Sequence, residues 1–474
     1  MLSAQRRTTL CTLLVAGAFF MNNLDGTVIA TALPQMAHSL HADVIDLNIG
    51  MTIYMLTLTV LIPISGWVAD RVGTRTTFAA AIVIFTVSSV LCGLCSNLLS
   101  FTVARILQGV GGSMMVPVGR LLVLRGAEKK DLMRVIAYLT WPGLAAPVLG
   151  PPLGGFITAY ADWRWIFFLN LPLGVTALVL TFFLVRNEKA EKSAPFDWLT
   201  FLSIGVCSLS LISGLELLSQ NVVALWTAIV LLVLAACSGA FALKATRRAQ
   251  APLIDLESMK LPTFAANIIG GSLFRIAISV SPFLLPLLFQ VGFGMDAFQS
   301  GMLVLALFAG NLSMKAATTL VLRRFGFRNV LIVNGLLTSL LILLCATFTA
   351  GEPRIVVAVI LFANGLSRSM QFTSLSTLAF VDVPAERMSS ANSFVSFAQQ
   401  MTGSLGVVTG ALMLRLAALL AGNASGQPTI ADFHIAFVFS SLLALCGLVG
   451  LRKLPANAGA VTSGHRVKTS CRDR

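Results

Sequence analysis

The sequence predicts an all-α membrane protein of fourteen transmembrane helices, laid out as two six-helix bundles plus an inserted two-helix hairpin. Three observations predict it. Of 474 residues, 57% are hydrophobic and 11% charged, where a soluble domain carries about 25% charged residues. The chain divides into fourteen apolar runs, each close to the ~20 residues that cross a bilayer core as a helix. One charged turn recurs, with Asp70-Arg71-Val72-Gly73-Thr74-Arg75 echoed by Arg323-Arg324-Phe325-Gly326-Phe327-Arg328 253 residues later.

The first half takes spans at roughly 10–32, 48–68, 76–96, 98–120, 135–159 and 166–185. The first has a basic flank, Arg6-Arg7, but it is too long for a signal-peptide core and lacks a cleavage site, so it is expected to stay as an uncleaved helix. Spans at 198–218 and 223–243 form the hairpin, between charged loops at 186–197 and 244–260. An even insertion keeps the second half in the orientation of the first. That half takes 263–290, 300–321, 329–349, 355–378, 389–414 and 434–451. Pro34 and Pro286 lie 252 apart, in step with the repeated turn. The expected domains are therefore a bundle over 1–190, a linker with two extra helices over 191–258, a second bundle over 259–452 and a disordered cytoplasmic tail over 453–474.

The net charge of +14 resembles a nucleic-acid footprint until its distribution is read. With both termini cytoplasmic, all but seven of the 33 Lys and Arg fall in cytoplasmic tails, loops or helix ends. Arg164, Arg354 and Arg415 lie outside, and Arg105, Arg275, Lys315 and Arg368 lie inside spans. This is the positive-inside pattern, and it excludes nucleic acid as the partner. The partners expected are the lipid bilayer and a small-molecule substrate. Short outer loops leave little surface for an envelope-spanning adaptor, a question the sequence leaves open, and a monomer is expected. Cys92 and Cys95 resemble a CxxC but end a membrane helix with no second pair nearby, so packing is expected and no metal or disulfide.

Asp25 stands inside the first span, where a charge costs about 2.5–3.5 kcal/mol even on lenient insertion scales. In the fourth span Arg105, Gln108, Gly109 and Gly112 repeat at i, i+3, i+4, i+7, placing polar and small groups on one helix face. Asn22, Asp25 and Gly26 do the same in the first. At 1.5 Å rise, Asp25 and Arg105 each lie ~10 Å below the outer boundary, matched in depth to pair. One reading is a structural ion pair. The other is a proton switch: burial favours a protonated carboxyl and a nearby guanidinium favours the carboxylate, so a motion that separates them would load and release a proton.

The turn Gly66 to Arg75 joins the second and third spans, and Asp70, Arg71 and Arg75 suit a charge latch at a cytoplasmic gate as well as a solvated turn. In the fifth span Gly143, Pro147, Gly150, Pro151, Pro152, Gly154 and Gly155 remove side-chain bulk and backbone donors, which gives close helix approach or a bend. In the second half Arg275 with Ser272 and Ser279, and Arg368 with Asn364, Ser367 and Gln371, mark polar faces. If these face the same space as Asn22 and Gln108, the cavity holds at least three arginines against one clear carboxylate. Lys315, nearer a cytoplasmic end, is expected to snorkel, and Glu216 is as good an interfacial residue as a functional one.

These motifs together resemble the major facilitator superfamily, in its 14-span drug:proton antiporter branch. The run Leu24-Asp25-Gly26-Thr27-Val28-Ile29-Ala30-Thr31-Ala32-Leu33-Pro34 is similar to that branch's first-helix signature, and Gly66 to Arg75 to the superfamily's loop signature. Arg105 to Gly112 resembles its proton-coupling motif, and Gly150-Pro151-Pro152-Leu153-Gly154-Gly155 its antiporter motif. Thr74 stands where a basic residue is usual, and Ala146 where a glycine is. The resemblance implies a major facilitator fold and proton coupling through Asp25 and Arg105. It also implies a cytoplasmic gate of Gly66, Asp70, Arg71, Gly73 and Arg75, and an export-associated helix built on Pro147, Gly150, Pro151, Gly154 and Gly155.

The expected function is proton-coupled efflux of a small organic compound by alternating access in the bacterial inner membrane, with the proton as coupling ion and no cofactor. Asn22, Gln108, Arg275, Arg368 and Gln371 are the expected cavity residues, and their charge favours anionic, zwitterionic or neutral amphipathic substrates over lipophilic cations. The alternatives are a proton-coupled uptake symporter and a non-transporting sensor or scaffold. No nucleophile, metal or cofactor constellation suggests an enzyme.

Overall fold

The computed structural model describes residues 4–40, 44–126, 132–189, 195–219, 225–249, 252–420, 428–452, 454–455 and 457–463. Among these, ordered secondary structure is helical throughout. The first half comprises α1 (Ala4–Leu40), α2 (Val44–Leu61), α3 (Ser65–Val72), α4 (Thr74–Leu94), α5 (Leu98–Gly126), α6 (Leu132–Tyr160), α7 (Trp165–Phe168) and α8 (Asn170–Leu184). The hairpin is α9 (Trp198–Ser219) and α10 (Leu225–Arg248). The second half holds α11 (Pro262–Leu287), α12 (Ala297–Cys345), α13 (Arg354–Val381), α14 (Met388–Leu420) and α15 (Ile430–Leu451), and a short α16 (Ala460–Ser463) follows.

Among the described residues, twelve helical segments are long and apolar enough to cross a membrane. One of them, Phe298–Cys345, is 48 residues long and breaks at Gly326 (φ 74, ψ 162), so it makes two crossings. Adding the 29-residue α6 accounts for the fourteen spans expected. The second span is α2 and α3 together: Pro63, lacking a backbone N–H, converts Ile62–Ile64 into one turn of 3-10 helix between them.

The repeat seen in sequence has a physical counterpart. Gly73 (φ 106) and Gly326 (φ 74) end the second and tenth spans in left-handed backbone, and both permit a one-residue reversal. A side chain at Gly73 would also collide with the carboxamide of Asn187, which accepts from Thr76 N at 3.3 Å and donates to Thr76 Oγ1 at 3.0 Å. Gly73→Ala is therefore expected to cost about 1–2 kcal/mol from its backbone alone. It should lower the unfolding temperature in detergent, whereas Gly17→Ala, at a site with open space around it, should not.

Each half has its own apolar core. Phe78, Phe85 and Leu121 centre one in the first half, and Phe274, Phe289 and Phe348 one in the second. A further cluster spans the halves on the face that carries the basic loops, where Leu124, Leu132 and Ile136 meet Phe264, Phe380 and Val395. This basic face is closed. The hairpin leans on both halves, with α9 packing on α2 and α14 and α10 outermost. The seven described cysteines are free thiols.

Two expectations need correction. Lys315 does not snorkel: it is buried, and its Nζ turns inward to Thr373 Oγ1 of α13. The tail, expected to be disordered from 453, packs through Leu454 and Ala458 onto the second-half core, while residues 464–474 lie outside the described residues.

Candidate functional site

Asp25 sits on α1 with 2% of its surface exposed, and three side chains donate to its carboxylate. Arg105 Nη1 on α5 donates to Oδ2 at 2.6 Å, Gln108 Nε2 to Oδ1 at 2.8 Å, and Asn170 Nδ2 on α8 to Oδ1 at 3.4 Å. The equal depth read from the sequence was sufficient to predict the pair. Arg105 is further held by the Gly50 carbonyl at 3.2 Å and the Gln108 carbonyl oxygen at 2.6 Å. Its guanidinium also lies 4.3 Å from the centre of the Tyr54 ring. Ser89 accepts from Asn170 at 2.9 Å and donates to the Phe167 carbonyl at 3.0 Å, which completes a network closed to solvent.

The fold makes room for this network with small residues. A Cβ on Gly109 would stand 2.7 Å from Thr57 Cβ, one on Gly111 2.6 Å from the Phe85 nitrogen, and one on Gly112 2.9 Å from Asn22 Oδ1. The glycines of this span thus seat α5 against α2, α4 and α1. Gly150 of α6 does the same against Thr27, two residues after Asp25, and Thr27 Oγ1 donates to the Ala146 carbonyl at 3.4 Å. The glycine-proline helix runs without interruption along the helix that carries the acid and packs closely on it. Gly154 is buried on it and Gly155 exposed; the side chains of Pro147 and Pro151 lie outside the described residues.

Tyr54 links the buried pair to open space. Its ring covers Arg105 and its hydroxyl donates to Asn22 Oδ1 at 2.8 Å, and Asn22 lines a cavity of about 280 Å³ between the halves. Arg120, Arg275, Arg368, Gln399 and Gln400 line it too. Arg120 Nη2 donates to Gln399 Oε1 at 2.9 Å, Arg275 to Asn267 of its own helix, and Arg368 Nη1 to the Ile278 carbonyl at 3.2 Å. Among the described residues none of these three guanidinium groups has a carboxylate within ion-pair distance. Arg120 Nη1 and Arg275 Nε are buried and have no hydrogen-bond partner.

Of the expected cavity residues, Asn22, Arg275 and Arg368 are brought together, but Gln108 and Gln371 are not. Gln108 belongs to the Asp25 network. Gln371 is buried within the second half, where it accepts from Asn334 Nδ2 at 3.0 Å and donates to the Leu331 carbonyl at 3.1 Å. Arg105, counted among the cavity arginines, is sealed away. Arg120 takes its place: α5 runs on to Gly126, so a residue that looked like a cytoplasmic flank is inside the bundle.

The gate residues separate in the same way. Gly66 lies between the halves, its N–H donating to Ser393 Oγ of α14 at 3.0 Å, and nearby Asn392 Nδ2 donates to the Pro117 carbonyl at 2.8 Å. Asp70 does not reach a facing helix of the other half; it pairs with Arg125 of its own half at 2.6 Å. Arg71 lies over the Trp67 ring at 5.3 Å and Arg75 near Phe182 at 6.0 Å.

The family model of the Major Facilitator Superfamily matches residues 15–407. The chain belongs to this superfamily. Similar proteins include one named for multidrug resistance, MdtD, in Pectobacterium carotovorum subsp. carotovorum, 35% identical over 94% of this chain and 95% of that one. Another, of the same name, in Pectobacterium atrosepticum, is 36% identical over 85% and 86%. Among solved structures, the human organic anion transporter MFSD10 aligns with a TM-score of 0.65 at 14% identity, covering 95% of this chain and all of that one. The proton:xylose symporter XylE aligns with a TM-score of 0.64 at 14% identity, covering 96% and 97%. These two show the fold. The superfamily member described here is a multi-span membrane transporter, with the fourteen-helix plan expected.

Proposed function

We propose that this transporter exports small amphipathic organic compounds, anions foremost, in exchange for protons, across a bacterial inner membrane with both termini in the cytoplasm. The observation that carries the reading is the connection of a sealed acid–guanidinium pair, through Tyr54 and Asn22, to a cavity walled by three guanidinium groups without carboxylate partners. Burying uncompensated charge is costly, and an anionic substrate offsets that cost. The names of the relatives support small organic compounds and the outward direction. The basic loops, by the positive-inside rule, make the closed face the cytoplasmic one.

The cycle assigned to these residues needs only local electrostatics. While Asp25 is ionised, Arg105 is held down on it and across the Tyr54 ring. A proton arriving on Asp25 removes the charge that holds the guanidinium, freeing Tyr54 and Asn22 to move and the α14 contacts at Gly66 and Pro117 to open. Exchange of one outgoing monovalent anion for one incoming proton moves two elementary charges down an inside-negative potential, about 4.6 kcal/mol per 100 mV. No resident cofactor is required.

Proteoliposomes under an imposed pH gradient, loaded with matched anionic and cationic substrates, test this reading. Gradient-dependent movement of the anion supports it; movement of lipophilic cations alone would refute it. Tyr54→Phe, which keeps the ring over Arg105 and deletes the bond to Asn22, is expected to weaken coupling about fivefold, from a hydrogen bond of about 1 kcal/mol. Substrate binding should be nearly unchanged, as isothermal titration would report.

A further inference from the structure

A second cavity, of about 630 Å³, lies in the half of the bundle away from the basic face, between α2, α9, α11 and α14. Its walls are apolar: Met51 and Met55 from α2, Ile212 from the inserted hairpin, Phe283 from α11, and Val407 and Ala411 from α14. Met55 and Val407 are among its exposed side chains. Glu216 of α9 also lines it, near that helix's far end.

This cavity shares a wall with the arginine-lined one. Gln399, Gln400 and Gly403 of α14 line both. The two glutamines are tied on opposite sides, Gln399 accepting from Arg120 at 2.9 Å and Gln400 donating to Met55 Sδ at 3.6 Å. One turn further on, a Cβ built at Gly403 would meet no atom within 4 Å. The wall is lowest at that glycine.

We propose that the two cavities are compartments of one substrate site that takes amphipathic organic anions. The anionic head sits among Arg120, Arg275 and Arg368, and the apolar tail passes Gly403 into the pocket between the hairpin and the bundle. The inference rests on the anion-export reading above and deepens it. Guanidinium groups without carboxylate partners suit the head, and a wall of methionine, aromatic and aliphatic side chains suits a flexible tail. Glu216 sets the polarity: a carboxylate at the far end repels a second anionic head, so only the tail is accepted there. The inserted hairpin thereby gains a function beyond joining the halves, because α9 supplies one wall of the tail compartment.

The test compares butanesulfonate and decanesulfonate, the latter below its micellar concentration, for transport by the full-length protein in proteoliposomes. Gly403→Leu puts a branched side chain into the passage from a Cβ that meets no atom within 4 Å, and Gly403→Ala leaves most of it open. Gly403→Leu is expected to lower decanesulfonate flux by about tenfold or more, the change that follows when about two methylene groups are kept out of apolar surroundings. Gly403→Ala, which adds only a Cβ in open space, should lower decanesulfonate flux less than Gly403→Leu does. Val407→Trp, which fills the tail pocket and does not line the arginine cavity, should lower decanesulfonate flux likewise while butanesulfonate flux stays within about twofold. Equal loss of both sulfonates in Val407→Trp, or no loss of decanesulfonate flux in either variant, overturns the two-compartment site while leaving the anion reading intact. If the wild type carries neither sulfonate, the anion reading fails and this inference fails with it. If decyltrimethylammonium is carried and Glu216→Gln abolishes its transport, the pocket is a cation site and the proposal is wrong.

Discussion

Asp25→Asn should abolish pH-gradient-driven accumulation while leaving the protein in the membrane. The amide keeps the shape of the carboxyl group but neither ionises nor accepts a proton, so Arg105 is held the same way throughout the cycle. A coupled proton contributes about 2.3 kcal/mol per 100 mV, so the supported concentration ratio should fall about 50-fold at that potential. Removing one member of a buried ion pair also costs about 3–5 kcal/mol, and a lower unfolding temperature is expected alongside. Arg105 keeps the Gly50 carbonyl, the Gln108 carbonyl oxygen and the Tyr54 ring, which limits that loss. Substrate-for-substrate exchange separates the two effects, because it needs binding and conformational change but no proton. Exchange should persist in Asp25→Asn at near wild-type rate.

Arg368→Gln should weaken binding of anionic substrate by about 30-fold or more, the consequence of removing one charged partner from a desolvated pair. Of the three cavity arginines it is the one whose loss disturbs the fold least. Arg368 spends a single hydrogen bond on the Ile278 carbonyl and is only half-buried, and glutamine can replace that donor. A neutral analogue of the same substrate should bind with little change, and a cationic one should bind more tightly. Titration of the purified protein with the three analogues measures all of this. Equal weakening for anion and neutral analogue would mean that Arg368 holds the cavity's shape and does not read charge.

How far the sequence reached depended on whether a residue's charge or its direction carried the information. Fourteen apolar runs and a repeated glycine turn were enough for the architecture, since length and hydropathy act one span at a time. The Asp25–Arg105 pair was legible because burial of a charge is costly and depth along a helix can be counted. Helix faces were harder. Gln108 shares a face with Arg105, but its amide turns to Asp25 of α1, and no periodicity within one helix says which neighbour it meets. Gln371 turns to Asn334 for the same reason. Arg120 was missed because a basic residue at the end of an apolar run looks like a flank until the helix is seen to continue. Tyr54, Ser89 and Asn170 carry no charge and gave no signal. Tyrosine is scarce, with three in the chain, and a phenol hydroxyl inside a span needs a partner, but neither fact says that the partner is Asn22. The Asp70–Arg125 pair joins residues 55 apart in sequence, a spacing that carries no distance information.

The most direct test is to follow protons themselves. Proteoliposomes containing the purified transporter and a trapped pH-sensitive dye, given a substrate gradient but no imposed pH gradient or potential, report whether substrate movement drives protons and in which direction. The account predicts proton movement opposite to the substrate, absent from Asp25→Asn. Protons moving with the substrate, or an equal proton signal from Asp25→Asn, would contradict it.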